Sequence, residues 1–246
     1  SLNKVVTGGF DEIVRVWKTD DMSVIYSLRI NGSIQAIYRL RDFESSLIIC
    51  HSGYIYIFQN SDYTLSLLKE RRECVVSKSA FEENSGLLVL GYMNGEVEFW
   101  GLGKDKKLTL VEKFVEHEGK VNGLAFSPLG SRCLSVDREG KLILWELSKK
   151  VSSKFDVLLK KPALSICFIN EATFITGNQN GNVIFWLYYN DQEMYSRYLE
   201  ISNSSVSRLF FSDYKTTLFI VSDCIIYRIS NILEFLEQIF DIVKQK

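Results

Sequence analysis

Few residues in this 246-residue chain could do chemistry beyond holding a fold: two histidines, five cysteines and some paired carboxylates. His117 could serve as a general base or a metal ligand, because an imidazole titrates near neutral pH. His51 follows an apolar run and has no Cys, Asp or Glu at ligand spacing, so it is expected in a surface turn. Cys50, Cys74, Cys133, Cys167 and Cys224 lie in or beside apolar runs and form no Cys-x-x-Cys pair. Their odd number and apolar settings predict reduced, buried thiols in an intracellular protein. Glu82-Glu83 and Asp20-Asp21 fall in turn sequences, where solvated charge is the ordinary outcome. No Gly-rich phosphate loop, Gly-x-Ser-x-Gly elbow or His-Glu-x-x-His occurs. The expectation is a chain with no catalytic residue, no metal and no cofactor.

Those residues sit in a repeat. Large aromatics recur at Trp17, Phe58, Trp100, Trp145, Trp186 and Tyr227, at spacings of 41, 42, 45, 41 and 41 residues. A period of about 40–45 residues, with short apolar runs divided by turn residues, predicts four-stranded antiparallel units. The clearest unit runs from Val121 to Leu147: an apolar run ending in Ser-Pro, a second ending in Asp-Arg-Glu-Gly, and a third closing on Trp145. Five residues before five of the six aromatics stands Gly53, Gly95, Gly140, Gly181 or, in the first unit, Glu12. Asn94-Gly95 and Asn180-Gly181 predict two-residue hairpin turns with positive φ at both centres.

With this repeat the chain resembles the WD-repeat family over nearly its whole length. The resemblance implies an all-β, WD-repeat type β-propeller. It also implies that a histidine, a Ser/Thr, an aspartate and the tryptophan form a buried hydrogen-bonded set in each blade. By that comparison His117, Ser135, Glu139 and Trp145 form the set of the fourth unit, with Glu139 in the aspartate place. Thr7, Asp11 and Trp17 supply three members in the first. Thr176 and Trp186 supply two in the fifth, with Asn180 in the aspartate place, and Trp100 supplies one in the third. The Trp-Asp dipeptide is absent: the tryptophans are followed by Lys18, Gly101, Glu146 and Leu187. His117 is thereby expected to be structural.

Six units are visible, with seven expected in a full-length protein. The first unit shows nothing before Lys4 that could be an inner strand. The sixth, Val206–Phe211, Leu218–Val221 and Cys224–Ile229, has no outer strand. Both features predict sequence upstream of Ser1. Residues 1–230 are expected to form the propeller and 231–246 an amphipathic helix, since Ile232, Leu233, Phe235, Leu236, Ile239, Phe240, Ile242 and Val243 follow a helical period. Asn231 and Glu234 resemble a capping box, and Lys244 and Lys246 suit the carbonyl end. The apolar stripe must be covered, either by the propeller or by a partner.

Composition, 46% hydrophobic and 13% aromatic, supports one large core. The net charge of −1 gives no global field for nucleic acid or an acidic membrane. No apolar run is long enough to span a bilayer, and the first residues are not a signal peptide. Local basic clusters remain: Lys69 with Arg71-Arg72, Lys104 with Lys106-Lys107, Lys149-Lys150 with Lys154, and Lys160-Lys161. Arg71-Arg72 resembles the double-arginine motif of phosphoinositide-binding propellers, but Glu70 and Glu73 flank it in place of Phe and Gly. A membrane role is therefore not expected.

The resemblance implies a non-catalytic scaffold for other proteins within a multi-subunit complex, in cytoplasm or nucleus. Its contacts are expected in the loops between outer and inner strands: Arg71, Arg72, Glu116, Glu118, Lys120, Lys160 and Lys161, together with Arg29, Asn31 and Asn203. The alternatives are RNA or ribosome association through the lysine-rich loops and phosphoinositide binding through Arg71 and Arg72.

Overall fold

The computed structural model describes residues 3–42, 44–71, 73–147, 152–159, 161–189, 193–212 and 216–240. They divide into two compact units, Ser1–Glu116 and His117–Lys246.

The first unit holds three sheets. Sheet one is β1 (Lys4–Thr7), β2 (Ile13–Lys18) and β3 (Val24–Arg29). Sheet two is β4 (Ile34–Arg39), β5 (Ser45–Cys50), β6 (Ile55–Gln59) and β7 (Leu65–Lys69). Sheet three is β8 (Val76–Glu82), β9 (Leu87–Tyr92), β10 (Glu96–Leu102) and β11 (Leu108–Val115). The second unit holds sheet four, β12 (Val121–Phe126), β13 (Arg132–Asp137), β14 (Lys141–Glu146) and β15 (Ser152–Leu158). Sheet five is β16 (Ala163–Phe168), β17 (Thr173–Asn178), β18 (Asn182–Tyr189) and β19 (Glu193–Glu200), and sheet six is β20 (Val206–Phe211), β21 (Thr217–Ser222) and β22 (Ile225–Ser230). Every strand pairs antiparallel with its neighbour in sequence, which short turns permit. Among the described residues the first and last sheets have three strands and the middle four have four.

Alternation within each strand sends side chains to opposite faces, and a strand whose sheet is packed on both sides is apolar on both. Ile55, Tyr56, Ile57 and Phe58 of β6 are all buried. Val14 and Val16 of sheet one meet Ile48, Cys50 and Phe58 of sheet two, while Ile49 and Ile57 of sheet two join Leu88, Leu90 and Tyr92 of sheet three. In the second unit Val136 and Leu144 meet Ile166 and Phe174. Two of these seams need a glycine. A Cβ at Gly8 would lie 2.3 Å from Ile34 Cδ1, and one at Gly177 would lie 2.4 Å from Val206 Cγ1.

The pairing between first and second strands repeats one irregularity. A register shift follows the first residue of β4, β8, β12, β16 and β20, each time adding one residue to the inner strand. The turn between second and third strands also repeats. Gly53, Gly95, Gly140 and Gly181 have φ of 88°, 84°, 97° and 82°, and Glu12 takes the same left-handed place at 63°. Asn94 and Asn180 do not have positive φ. The expected two-residue hairpins are thus replaced by longer turns in which only the last residue is left-handed. The sixth unit is the exception. Its turn is shorter, with Asp223 at φ 50°, and Ile229 rather than Tyr227 pairs with Leu218. Leu218 holds the same position in its strand as Cys133 opposite Trp145, so Ile229 is the structural counterpart of the tryptophans.

The terminal helix α1 (Ile232–Phe240) belongs to the core of the second unit. Ile232, Leu236 and Phe240 are buried among Val183, Phe185, Leu218 and Ile220 of sheets five and six. Phe235 meets the Phe185 ring at 5.4 Å between centroids. Arg197 Nε of β19 donates to the Ile239 carbonyl at 3.1 Å, satisfying one of the acceptors left open at a helix end. The capping box does not form: Asn231 has φ 52° and its amide nitrogen bonds the Glu234 carboxylate instead. Residues 241–246, including Lys244 and Lys246, lie outside the described residues. Leu236→Ala should lower stability by about 2–5 kcal/mol through the cavity it leaves. Leu233→Ala, at an exposed position, should move the thermal midpoint little. Equal midpoints for both variants would show that α1 is not held by this face.

Candidate functional site

Among the described residues, a buried polar group of catalytic type lies in sheet four. Ser135 on β13 is fully buried, and its Oγ receives the Trp145 indole N–H at 2.8 Å. The same oxygen lies 2.6 Å from His117 Nε2. His117 Nδ1 faces Asp137 Oδ2 at 3.3 Å, and both side chains are 0% exposed. Since the indole can only donate, Ser135 Oγ accepts that proton, and the same hydroxyl shares a hydrogen bond with Nε2. Nδ1 is the ring nitrogen turned toward Asp137. Burial drives the imidazole below its ordinary 6.5, against the pull of the Asp137 carboxylate.

The order Ser–His–Asp is that of a hydrolytic triad, but the oxygen that would attack a substrate is sealed under an indole. Asp137 has a second task. Its Oδ1 accepts the Lys141 N–H at 2.8 Å and its Oδ2 the Glu118 N–H at 3.3 Å, so it ties both flanking loops to the sheet. The arrangement holds loops to the sheet.

It also moves the aspartate place. Glu139 is exposed, in the turn beyond β13, and does not face His117. Asp137, two residues after Ser135, lies on the same strand face and reaches the set. Sheet five repeats this: Trp186 Nε1 donates to Thr176 Oγ1 at 2.9 Å, and Asn178 Oδ1, not Asn180, accepts the Asn180 and Asn182 N–H groups. In sheet one Trp17 Nε1 donates to Thr7 Oγ1 at 2.7 Å, but Asp11 pairs with Arg15 at 2.6 Å, away from them. In sheet three the hydroxyl position is Leu90, and Trp100 Nε1 turns to Glu98 Oε2 at 3.0 Å, which also binds the Tyr92 hydroxyl. Alternation by two along a strand could have located Asp137 and Asn178; nothing in the sequence singled out Glu98.

One pH effect follows from His117. The unfolded chain takes up a proton near 6.5, while the folded chain resists until lower pH. Stability is therefore full above 6.5 and falls as pH drops below it. The urea midpoint should fall between neutral pH and about 5, and His117→Gln should flatten that fall. An unchanged slope would mean that His117 is already charged in the fold.

The residues predicted for contacts lie in loops at the ends of the sheets of each unit. The loops entering inner strands and the turns after second strands share one end of each sheet. His51 N–H bonds Ser33 O at 2.9 Å, Met93 N–H bonds Val75 O at 3.0 Å, and Arg138 N–H bonds Lys120 O at 2.8 Å. Arg71, Glu116, Glu118, Lys161, Asn31 and Asn203 are exposed there and Lys120 is half-buried. Arg29 is drawn to Glu12 at 3.2 Å. Arg72 and Lys160 lie outside the described residues. His51 is more enclosed than expected: its Nδ1 lies 2.9 Å from Val76 O, and the Phe10 ring stacks on it at 5.3 Å.

At the opposite end, Lys106 Nζ is 3.3 Å from Asp42 and donates to Ser45 Oγ at 2.9 Å, while Lys107 is 3.8 Å from Asp105. Carboxylates thus offset two of the three lysines in the loop considered for RNA. The five cysteines are free, with Cys50 and Cys133 buried; burial pushes the Cys50 thiol up to about 12 and raises Cys133 as well. Cys224 corrects the expectation of buried thiols, because the short turn of sheet six leaves it exposed. No group of three or more His, Cys, Asp or Glu able to hold a metal occurs among the described residues. No helix among them is long and apolar enough to cross a membrane.

Comparison with known proteins agrees with this geometry. The family model "WD domain, G-beta repeat" matches residues 108–146, the stretch containing His117, Ser135, Asp137 and Trp145. The chain is 24% identical over 195 residues to target of rapamycin complex subunit wat1 of Schizosaccharomyces pombe, covering 76% of this chain and 60% of that protein. It is 24% identical over 140 residues to protein transport protein SEC31 of Scheffersomyces stipitis, covering 54% of this chain and 11% of that one. To actin-interacting protein 1 of Caenorhabditis elegans it is 22% identical over 116 residues, covering 45% and 19%. A chain in the crystal structure of the mitotic checkpoint complex superposes with a TM-score of 0.78 at 11% identity, covering 93% of this chain and 72% of that one. The chain carries a WD repeat and has the all-β fold of the WD-repeat β-propellers. It spans under two thirds of the length of each curated relative.

Proposed function

We infer that this protein is a non-catalytic scaffold, a propeller subunit of a larger intracellular assembly in cytoplasm or nucleus. The observation that carries this reading is the division of polar groups in sheet four. Every member of the Ser135–His117–Asp137–Trp145 set is sealed and spent on holding loops, while Glu118, beside it in sequence, is exposed. Rigid sheets with charged loops at one end suit recognition by other proteins. Relatives described as a complex subunit, a transport protein and an actin-interacting protein support the same class of role. Neither RNA nor phosphoinositide binding has an observation in its favour.

The test combines Glu118→Lys, Lys161→Glu and Asn203→Lys in one variant. Affinity purification of the tagged protein should recover stoichiometric protein partners, and the variant should lose them while its circular dichroism and thermal midpoint stay unchanged. A parent protein that purifies without any stoichiometric partner, or a variant that keeps them all, would overturn the reading.

A further inference from the structure

Four Asn-Gly pairs occur in the sequence: Asn122-Gly123 lies within β12, and Asn31-Gly32, Asn94-Gly95 and Asn180-Gly181 lie in loops. In such a pair the glycine nitrogen can attack the asparagine side chain, since no Cβ obstructs it, provided that the backbone can bring the two together. The fold treats the three loop pairs differently. Gly95 is buried and its N–H is held by Tyr92 O at 3.3 Å, while Asn94 Oδ1 accepts the Glu96 N–H at 3.2 Å. Gly181 is buried with its carbonyl held by the Ile201 and Ser202 N–H groups at 3.0 and 3.3 Å, and its φ is 82°. All three loop asparagines are exposed, but Gly32 is only half-buried. Among the described residues neither the Gly32 N–H nor the Asn31 side-chain amide makes a hydrogen bond. The Tyr56 hydroxyl donates to the Asn31 carbonyl at 3.3 Å. Gly32 is also required where it stands: its φ is 106°, and a Cβ would lie 2.3 Å from Ser52 Oγ. The reactive pair is therefore built into the loop between β3 and β4.

We propose that Asn31 is a site of spontaneous, structure-selected deamidation that turns this neutral loop residue into a carboxylate. The Gly32 backbone nitrogen forms a bond to Asn31 Cγ, and the side-chain nitrogen leaves as ammonia, taking the Gly32 amide proton. Water then opens the cyclic imide. Cleavage at Cγ gives aspartate. Cleavage at the main-chain carbonyl carbon gives isoaspartate, with an additional methylene in the backbone. Nothing is oxidised or reduced; the sum is amide plus water to acid plus ammonia. The new charge stands two residues from Arg29, which already faces Glu12 at 3.2 Å. It gives the loop a second carboxylate competing for that guanidinium. The inference depends on the loop's geometry and stands or falls independently of the scaffold reading.

The experiment incubates the intact protein at mildly alkaline pH and follows all three loop asparagines by peptide mapping, scoring the mass gain of amide-to-acid conversion. Electron-based fragmentation separates aspartate from isoaspartate. A parallel sample is unfolded in urea. In the folded protein Asn31 should convert at least about tenfold faster than Asn94 and Asn180, because loss of near-attack geometry costs such factors. In urea the three should converge. Equal rates in the folded protein, or faster conversion at Asn180, would overturn the proposal. So would the same ranking in urea, which would trace selectivity to local sequence alone.

Discussion

Asp137→Ala is expected to destabilise the second unit by about 3–5 kcal/mol, whereas Glu139→Ala should stay within about 0.5 kcal/mol of the parent. The asymmetry comes from burial. Asp137 is a fully buried carboxylate that accepts the Lys141 and Glu118 N–H groups and faces His117. Its removal strands two backbone donors and takes away the carboxylate that faces His117, and each lost acceptor costs about 1–3 kcal/mol. Glu139 is exposed, and its carboxylate stays hydrated with or without the fold. Chemical denaturation of the three proteins decides the matter. A larger loss for Glu139→Ala would return the aspartate role to the turn. Asp137→Asn is the informative intermediate, since the two N–H groups go to different oxygens of Asp137 and an amide keeps only one of them, whereas Asn178 Oδ1 accepts both the Asn180 and Asn182 N–H groups.

Gly181→Ala should be of similar size, for a different reason. A Cβ there would fall 2.0 Å from Ser202 O and 2.5 Å from its carbonyl carbon, on backbone at φ 82°. Strain at left-handed φ and overpacking each cost about 1–3 kcal/mol, so a loss of about 2–5 kcal/mol is expected. The obstacle is backbone, which cannot swing aside as a side-chain tip could. Gly9→Ala is the control, because the nearest atom to a Cβ there is Asp11 Oδ1 at 3.7 Å. Similar thermal midpoints for the two variants would show that the loop before β20 yields easily.

The strands were legible from the sequence because both of their signals are short-range. Alternation and turn residues place β9 at Leu87–Tyr92 and β1 at Lys4–Thr7, and both form there. Glycine at a fixed distance before the aromatic located four left-handed turn positions, and even Glu12 as the fifth. What failed depended on register. Counting 41 residues from Trp186 reaches Tyr227, but a shorter turn slides β22 so that Ile229 holds the place. Glu139 was chosen by its neighbourhood to a glycine, although strand alternation carries Asp137 back to the face that His117 occupies. Glu98 was invisible because its role arises only once Leu90 has removed the hydroxyl that Trp100 would otherwise use. The helix was legible as amphipathic, but only packing showed that sheets five and six cover its stripe.

The fits of Ile34 against Gly8 and of Val206 against Gly177 have a consequence for how such a chain can change over generations. Each seam has its own lock, so neighbouring modules are matched partners rather than spare parts. Moving one by gene duplication would bring a bulky residue against another bulky one, or a gap against a gap. A mutation filling either glycine would survive only beside a shrinking mutation some thirty residues downstream in the same lineage, and this history would be written as paired substitutions rather than single ones.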